Sequence, residues 1–214
     1  YHQISEFERV RDYGLLVVFS NWSFLKNRSA HKAEYAKSRL EWVAYVAGKR
    51  ESRRLMGDLV LKEQDLVDKV SYPDATACTT WPIDLHYPDP KNTKNFPGAE
   101  FKSIAKHKAI YPYPIPYRCL YSKNIENLFM AGRNISVTHV ALGTVRVMRT
   151  GGMMGEVIGM AASLCKKYTC SPRDVYTAHL DELKGLMSQG VGLGKDQPPQ
   201  KYNLGGTLLK EKKE

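Results

Sequence analysis

The segment Asn127 to Lys167, NLFMAGRNISVTHVALGTVRVMRTGGMMGEVIGMAASLCKK, constrains this chain more than any other. It runs from a short apolar stretch ending in Gly132-Arg133, through a polar loop, into a helical pattern that opens on Gly151-Gly152. In that pattern Met153, Val157, Met160 and Leu164 form a bulky face, while Gly152, Gly155, Gly159 and Ala162 form a narrow one. A glycine inside a helix costs about 1 kcal/mol relative to alanine. Repeating that cost along one face serves close approach, either of another helix or of a ligand. The start of a helix also carries amides without intrahelical acceptors and the positive end of the dipole, which suits an electron-rich group.

Elsewhere the pattern predicts short elements. Leu15–Phe19 reads as a buried strand, because it is a compact apolar run. From about Ala30 to Gly48, the residues Ala36, Leu40, Val43 and Ala47 fall at helical spacing, with Gly48 as C-cap. Leu59–Leu61 suits a short strand and Glu63–Asp68 a helical turn. Ser71–Pro116 is dense in Pro, Asp, Asn and Tyr and reads as loops and short strands; Tyr111-Pro-Tyr-Pro-Ile-Pro is barred from helix. Asn127–Ala131 is expected to be a strand. Ser171-Pro-Arg-Asp carries an N-cap, a first-turn proline and a capping-box acid, so a helix is expected from there to about Ser188, stopping at Gly190. Beyond Lys195 the composition suggests a loosely held tail.

The 214 residues suffice for a real core, with 43% hydrophobic and 25% charged residues. No apolar run approaches the roughly 20 residues of a membrane span. The formal net charge of +10 is dispersed, with no RNA-binding or helix-turn-helix signature, so nucleic acid is not expected as a partner. Cys78, Cys119, Cys165 and Cys170 form no C-x-x-C pair, and no zinc site is expected. No G-x-G-x-x-G follows a strand; GVGLGKD, Gly190 to Asp196, follows a helix instead.

Ala131-Gly132-Arg133 and Arg149-Thr150-Gly151-Gly152 resemble the last strand and the helix-opening element of FAD-dependent oxidoreductases of the glutathione-reductase-like class, common in polysaccharide-degrading bacteria. GKRESRRLMGD (Gly48 to Asp58), WPIDLH (Trp81 to His86) and IPYRCLYSKNIENL (Ile115 to Leu128) look similar too. The resemblance implies an α/β fold, here an α+β piece of one. Residues 1–126 would be a substrate-domain portion and 127–190 the C-terminal part of a Rossmann-like FAD-binding domain, with 191–214 a flexible tail. It implies FAD as cofactor and hydride transfer to or from a small organic substrate, possibly carbohydrate-derived, and it permits an extracytoplasmic bacterial location. Because the nucleotide fingerprint is missing, an N-terminal half carrying the first βαβ unit is expected as a partner. This chain alone is expected to be inactive and to bind FAD weakly.

On this resemblance Gly132, Arg133, Asn134, Ser136, Arg146, Arg149, Gly151, Gly152 and Gly155 are the cofactor-binding candidates. Arg146 and Arg149, three apart, would share a helix face if both were helical. His139 is either the residue nearest the flavin ring or a structural histidine. Arg53, Arg54, Trp81 and His86 are substrate candidates, with Arg50 and Asp84 near them; Arg53 and Arg54 could instead pair with Asp58. Tyr117 and Arg118 complete the catalytic candidates. Two other readings stay open. A polysaccharide lyase acting on acidic glycans could use Tyr117, His86 and Arg118. A non-catalytic carbohydrate-binding module would rest on Trp81 and the tyrosines.

Overall fold

The computed structural model describes residues 2–89, 103–110 and 112–190. The expected tail, 191–214, lies outside the described residues, as does the motif GVGLGKD from its second residue on. The chain divides into two compact units, residues 1–52 and residues 53 onward, so the division falls at 52/53.

In the first unit, α1 (Phe7–Asn27) is followed by the four-residue α2 (Lys32–Tyr35). Leu15–Phe19, expected as a strand, lies in the middle of α1, and no residue of that helix is buried. The apolar run was too short to distinguish strand from helix by periodicity. The helix expected over Ala30–Gly48 shrinks to α2, and the chain then runs irregularly to Gly48. It is tied back by cations rather than by a core. The Lys26 ammonium donates to the carbonyls of Ala36 (3.0 Å) and Ser38 (2.7 Å). The Arg11 guanidinium sits over the Tyr45 ring at 4.6 Å and donates to its hydroxyl at 2.7 Å. The Lys26 contacts satisfy carbonyls that a continuing helix would have used itself.

The second unit is an α+β arrangement with an apolar core. Its elements are α3 (Glu63–Val67), β1 (Ala75–Cys78), β2 (Ile83–Pro88), β3 (Ser103–Lys108), β4 (Pro114–Pro116), a 3-10 turn at Tyr117–Cys119, α4 (His139–Val145), α5 (Met148–Tyr168), α6 (Pro172–Ala178) and α7 (Leu180–Gln189). β1 pairs antiparallel with β4, and β2 with β3. Pro112, Pro114 and Pro116 cannot donate to a ladder. Side chains therefore close the β1–β4 pair: the Thr76 hydroxyl donates to the Ile115 carbonyl, and the Tyr113 N–H donates to the Thr79 hydroxyl.

The strand expected over Asn127–Ala131 is reduced to an isolated bridge, Phe129 to Tyr121, supported by Met130 N–H to the Leu120 carbonyl, with Asn127 still in a turn. The Leu59–Leu61 stretch likewise contributes one bridge, Leu61 to Val137. α5 buries Thr150, Met153, Met154, Val157, Ala161 and Leu164 against the core. The helix expected from Ser171 begins as predicted, with Ser171 and Asp174 in a capping box, but it breaks at His179. That ring stacks on Tyr168 at a centroid distance of 3.9 Å. No helix among the described residues is long and apolar enough to cross a membrane.

Candidate functional site

α5 starts at Met148, three residues before the glycine pair, with extended Val147 as its N-cap. The Gly151 N–H is consequently spent on the Val147 carbonyl at 2.9 Å. The first-turn amides without intrahelical acceptors belong to Met148, Arg149 and Thr150. Gly151 contributes the absence of a side chain instead. A Cβ there would lie 3.9 Å from the Gly132 Cα, so the turn at Gly132, in the left-handed region at φ 85°, rests close to the helix start.

The narrow face of α5 is open. A Cβ added to Gly152, Gly155 or Gly159 would meet nothing within 4 Å. These glycines are therefore not packed against another helix among the described residues. Arg133, Asn134, His139, Met148 and Arg149 are all exposed, Met148 to 93%. The Asn134 carbonyl accepts from Leu55 N–H at 2.9 Å, which runs the Arg53-Arg54 segment alongside the Gly132 turn. Of the cofactor candidates, Gly132 and Gly151 are brought together, with Arg133 and Gly152 next to them in the chain.

Two candidates turn elsewhere. Ser136 is buried, and its hydroxyl has no hydrogen-bond partner among the described residues. It faces the close packing at Gly57, where an added Cβ would meet the Ser136 Cβ at 3.0 Å and the Arg118 carbonyl oxygen. Arg146 ends α4, and the extended Val147 separates it from α5, so Arg146 and Arg149 do not share a helix face. Its guanidinium donates to the Asp84 carbonyl at 3.0 Å.

Asp84 is the hub of the WPIDLH stretch. Its carboxylate lies 3.2 Å from His86 Nε2, 3.5 Å from His107 Nε2 and 3.7 Å from the Arg146 guanidinium. Asp84 and His107 are direct cross-strand partners, and His86 is two residues along, so the three share one face of the β2–β3 hairpin. Asp84 Oδ1 is buried without a well-aligned donor, while Oδ2 lies within hydrogen-bonding reach of His86 Nε2 at 3.3 Å. Glycine is required behind it: a Cβ on Gly143 of α4 would meet the Asp84 backbone at 3.0 and 3.1 Å. The Thr144 hydroxyl donates to the Trp81 carbonyl, leaving the indole half-exposed, and the Thr80 and Thr150 hydroxyls meet at 3.1 Å. WPIDLH is thereby fastened to the start of α5. Sequence reading missed His107, whose place depends on strand register.

The other catalytic candidates have structural partners. Tyr117 is fully buried; its hydroxyl donates to the Pro172 carbonyl at 2.8 Å, and burial raises its pKa. Arg118 makes a bidentate pair with the buried Asp74, both contacts 2.9 Å, and its N–H donates to the same carboxylate. That pairing raises the pKa of Arg118. Asp58 pairs with Arg173 (2.8 and 2.7 Å) and accepts from the Tyr121 hydroxyl. The arrangement that a lyase would need from Tyr117 and Arg118 is occupied by these bonds.

A helix start with open small residues beside it, flanked by exposed guanidinium groups, defines a surface suited to a planar, electron-rich cofactor. A family model described as FAD dependent oxidoreductase matches residues 3–184, and the chain belongs to that family. FAD is the cofactor this membership implies, and oxidoreduction the general role. Comparisons with curated proteins and with solved structures returned no match.

Proposed function

We propose that this chain forms the ring-facing and substrate-facing part of an FAD-dependent oxidoreductase that transfers hydride to or from a small organic, carbohydrate-derived substrate. The carrying observation is the open glycine face of α5, with exposed Arg149 in its first turn and the Gly132 turn close to Gly151. The residues present fit the group: a Cβ added at Gly152 or Gly155 meets nothing within 4 Å, so a flat ring system would have room against the helix there. The amides of Met148, Arg149 and Thr150, with the Arg149 guanidinium, would face its electron-rich pyrimidine side. Arg133 and Asn134 would border it from the Gly132 turn. When bound, FAD supplies the hydride acceptor, and a positive helix end favours the negative charge that reduction brings.

On the substrate side, half-exposed Trp81 offers a stacking face for a sugar ring. His86, beside Asp84, offers a hydrogen-bonding group on the strand that Thr80 ties to α5. Arg53 and Arg54 border the same region through the Leu55–Asn134 bond. In this reading a separate Rossmann-like segment bearing the G-x-G-x-x-G fingerprint completes the pyrophosphate half of the site. The chain by itself then holds half a site, and it is inactive.

FAD titration followed by flavin fluorescence tests this. This chain alone should bind weakly, and the chain joined to a fingerprint-bearing segment should bind tightly. Gly155→Leu should weaken the joined form at least tenfold. Stoichiometric flavin in the isolated chain would overturn the half-site reading. Unchanged affinity in Gly155→Leu would overturn the placement on α5.

A further inference from the structure

Of the four cysteines, Cys78 and Cys119 are buried, and Cys165 and Cys170 are partly exposed. The termination of α5 brings the exposed pair together. Thr169 adopts the left-handed conformation, φ 52° and ψ 49°, and its N–H bonds the Cys165 carbonyl. The Cys170 N–H reaches the same carbonyl at 3.1 Å. In this Schellman-type ending, the side chains of the residue after the left-handed one and of the residue five before it commonly touch. Here both are thiols, and they interact. Standard bond lengths limit the Cα atoms of residues joined by such a hydrogen bond to below about 7 Å. That separation is within the reach of a disulfide.

We propose that Cys165 and Cys170 form a thiol–disulfide exchange site, taking low-molecular-weight disulfides as oxidant and closing a bridge between the end of α5 and the segment leading into α6. The Cys170 thiolate attacks one sulfur of the external disulfide, forming a mixed disulfide and releasing one thiolate. The Cys165 sulfur, giving up its proton to solvent, then attacks Cys170 and releases the second. Two protein thiols and one disulfide become one protein disulfide and two small thiols. Cys170 opens the exchange because burial, then Cys170 itself, push the Cys165 thiol up to about 11. At neutral pH Cys165 is therefore almost wholly protonated. Both cysteines neighbour the buried Tyr117, whose hydroxyl bonds the Pro172 carbonyl.

Incubation of the folded chain with oxidised glutathione, followed by non-reducing tryptic mapping, tests the assignment. Lys166 and Lys167 lie between the two cysteines, so the bridge joins peptide Thr150–Lys166 to peptide Tyr168–Arg173. Expected are that linked pair, loss of two hydrogens from the intact mass, and a fall in thiols from four to two. Cys165→Ser should retain a glutathione adduct on Cys170, whereas Cys170→Ser should form an adduct far more slowly. Four unchanged thiols, a lasting adduct on the unsubstituted chain, or a link to Cys78 or Cys119 would each overturn the proposal. The map of the unsubstituted chain decides the matter even if a serine variant folds poorly.

Discussion

α1 and α5 are both 21 residues long, yet they are stabilised in opposite ways. α5 buries six residues, one of them threonine, and exposes Gly152, Gly155, Gly159 and Ala162 along a narrow strip. α1 buries none: Leu16 and Phe19 are 60% and 54% exposed, and its neighbours hold it through lysine and arginine contacts. The helicity of an isolated helix depends on its length and temperature, and tertiary packing supplies most helical stability in proteins. The comparison shows that length and apolar content alone do not reveal whether a helix is held by a core. In α5 the pattern separates bulky from small, so one face can be buried and the other left bare for a ligand. In α1 Leu15 to Phe19 form a continuous apolar run, so no side of the helix is assigned to a core.

The sharpest test of this contrast removes the anchors of the α5 unit. Asp74→Ala leaves the Arg118 guanidinium without its buried bidentate partner. Breaking such a pair costs about 3–5 kcal/mol. Denaturant unfolding of the second unit should show that loss; a change below about 1 kcal/mol would mean that solvent reaches the pair. Next comes Met154→Ala. Met154 is fully buried on α5, and truncating a buried methionine costs about 2–5 kcal/mol. A smaller loss would place the packed face of α5 nearer to α1 in character.

Those anchors differ in how far they could be read from sequence. The α6 start was legible because Ser171, Pro172 and Asp174 each carry a local capping preference that needs no partner from elsewhere. The open glycine face was legible in kind, but its start was not, because Val147 rather than glycine provides the break between α4 and α5. The end of α5 was hidden too: left-handed backbone favours glycine, and here Thr169 adopts it. Arg146 was grouped with Arg149 by spacing, which presupposed one continuous helix. The cluster of Asp84, His86 and His107 required the β2–β3 register, which no local pattern specifies. Trp81 and His86 were singled out by residue type; the hydroxyl and guanidinium contacts that position their strand are long-range.

The next effect in size has the opposite sign. Gly155→Ala places a methyl group in open space on an exposed helix face, so the isolated chain should gain up to about 1 kcal/mol. Thermal melting checks this, and a loss of stability would show that the face is covered. Smaller still is the acid dependence at Asp58. The Arg173 guanidinium, followed by the Tyr121 hydroxyl, holds the Asp58 carboxyl below its usual value of 3.8. A depressed folded-state pKa contributes stability that is fully present above the unfolded value and is lost as pH falls through the folded one. The contribution should therefore persist at neutral pH and fade below about pH 4, and Asp58→Asn should remove that part of the acid slope. As a largely solvated pair it is worth under about 1 kcal/mol, and an unchanged acid slope in the variant would assign it nothing.

Phe19→Ala on α1 should have the smallest effect of all. Its ring is more than half exposed, and no residue of its helix is buried. Substitutions at such positions usually fall within about 0.5 kcal/mol of neutral. Alanine also has the higher helix propensity, which offsets part of whatever packing the ring provides. Unfolding of the folded chain, followed by helical circular dichroism, should give superimposable curves for this variant and its parent. A loss of about 2 kcal/mol or more would break the comparison between the two helices, because it is the cost expected of a side chain that packs, as Met154 does on α5.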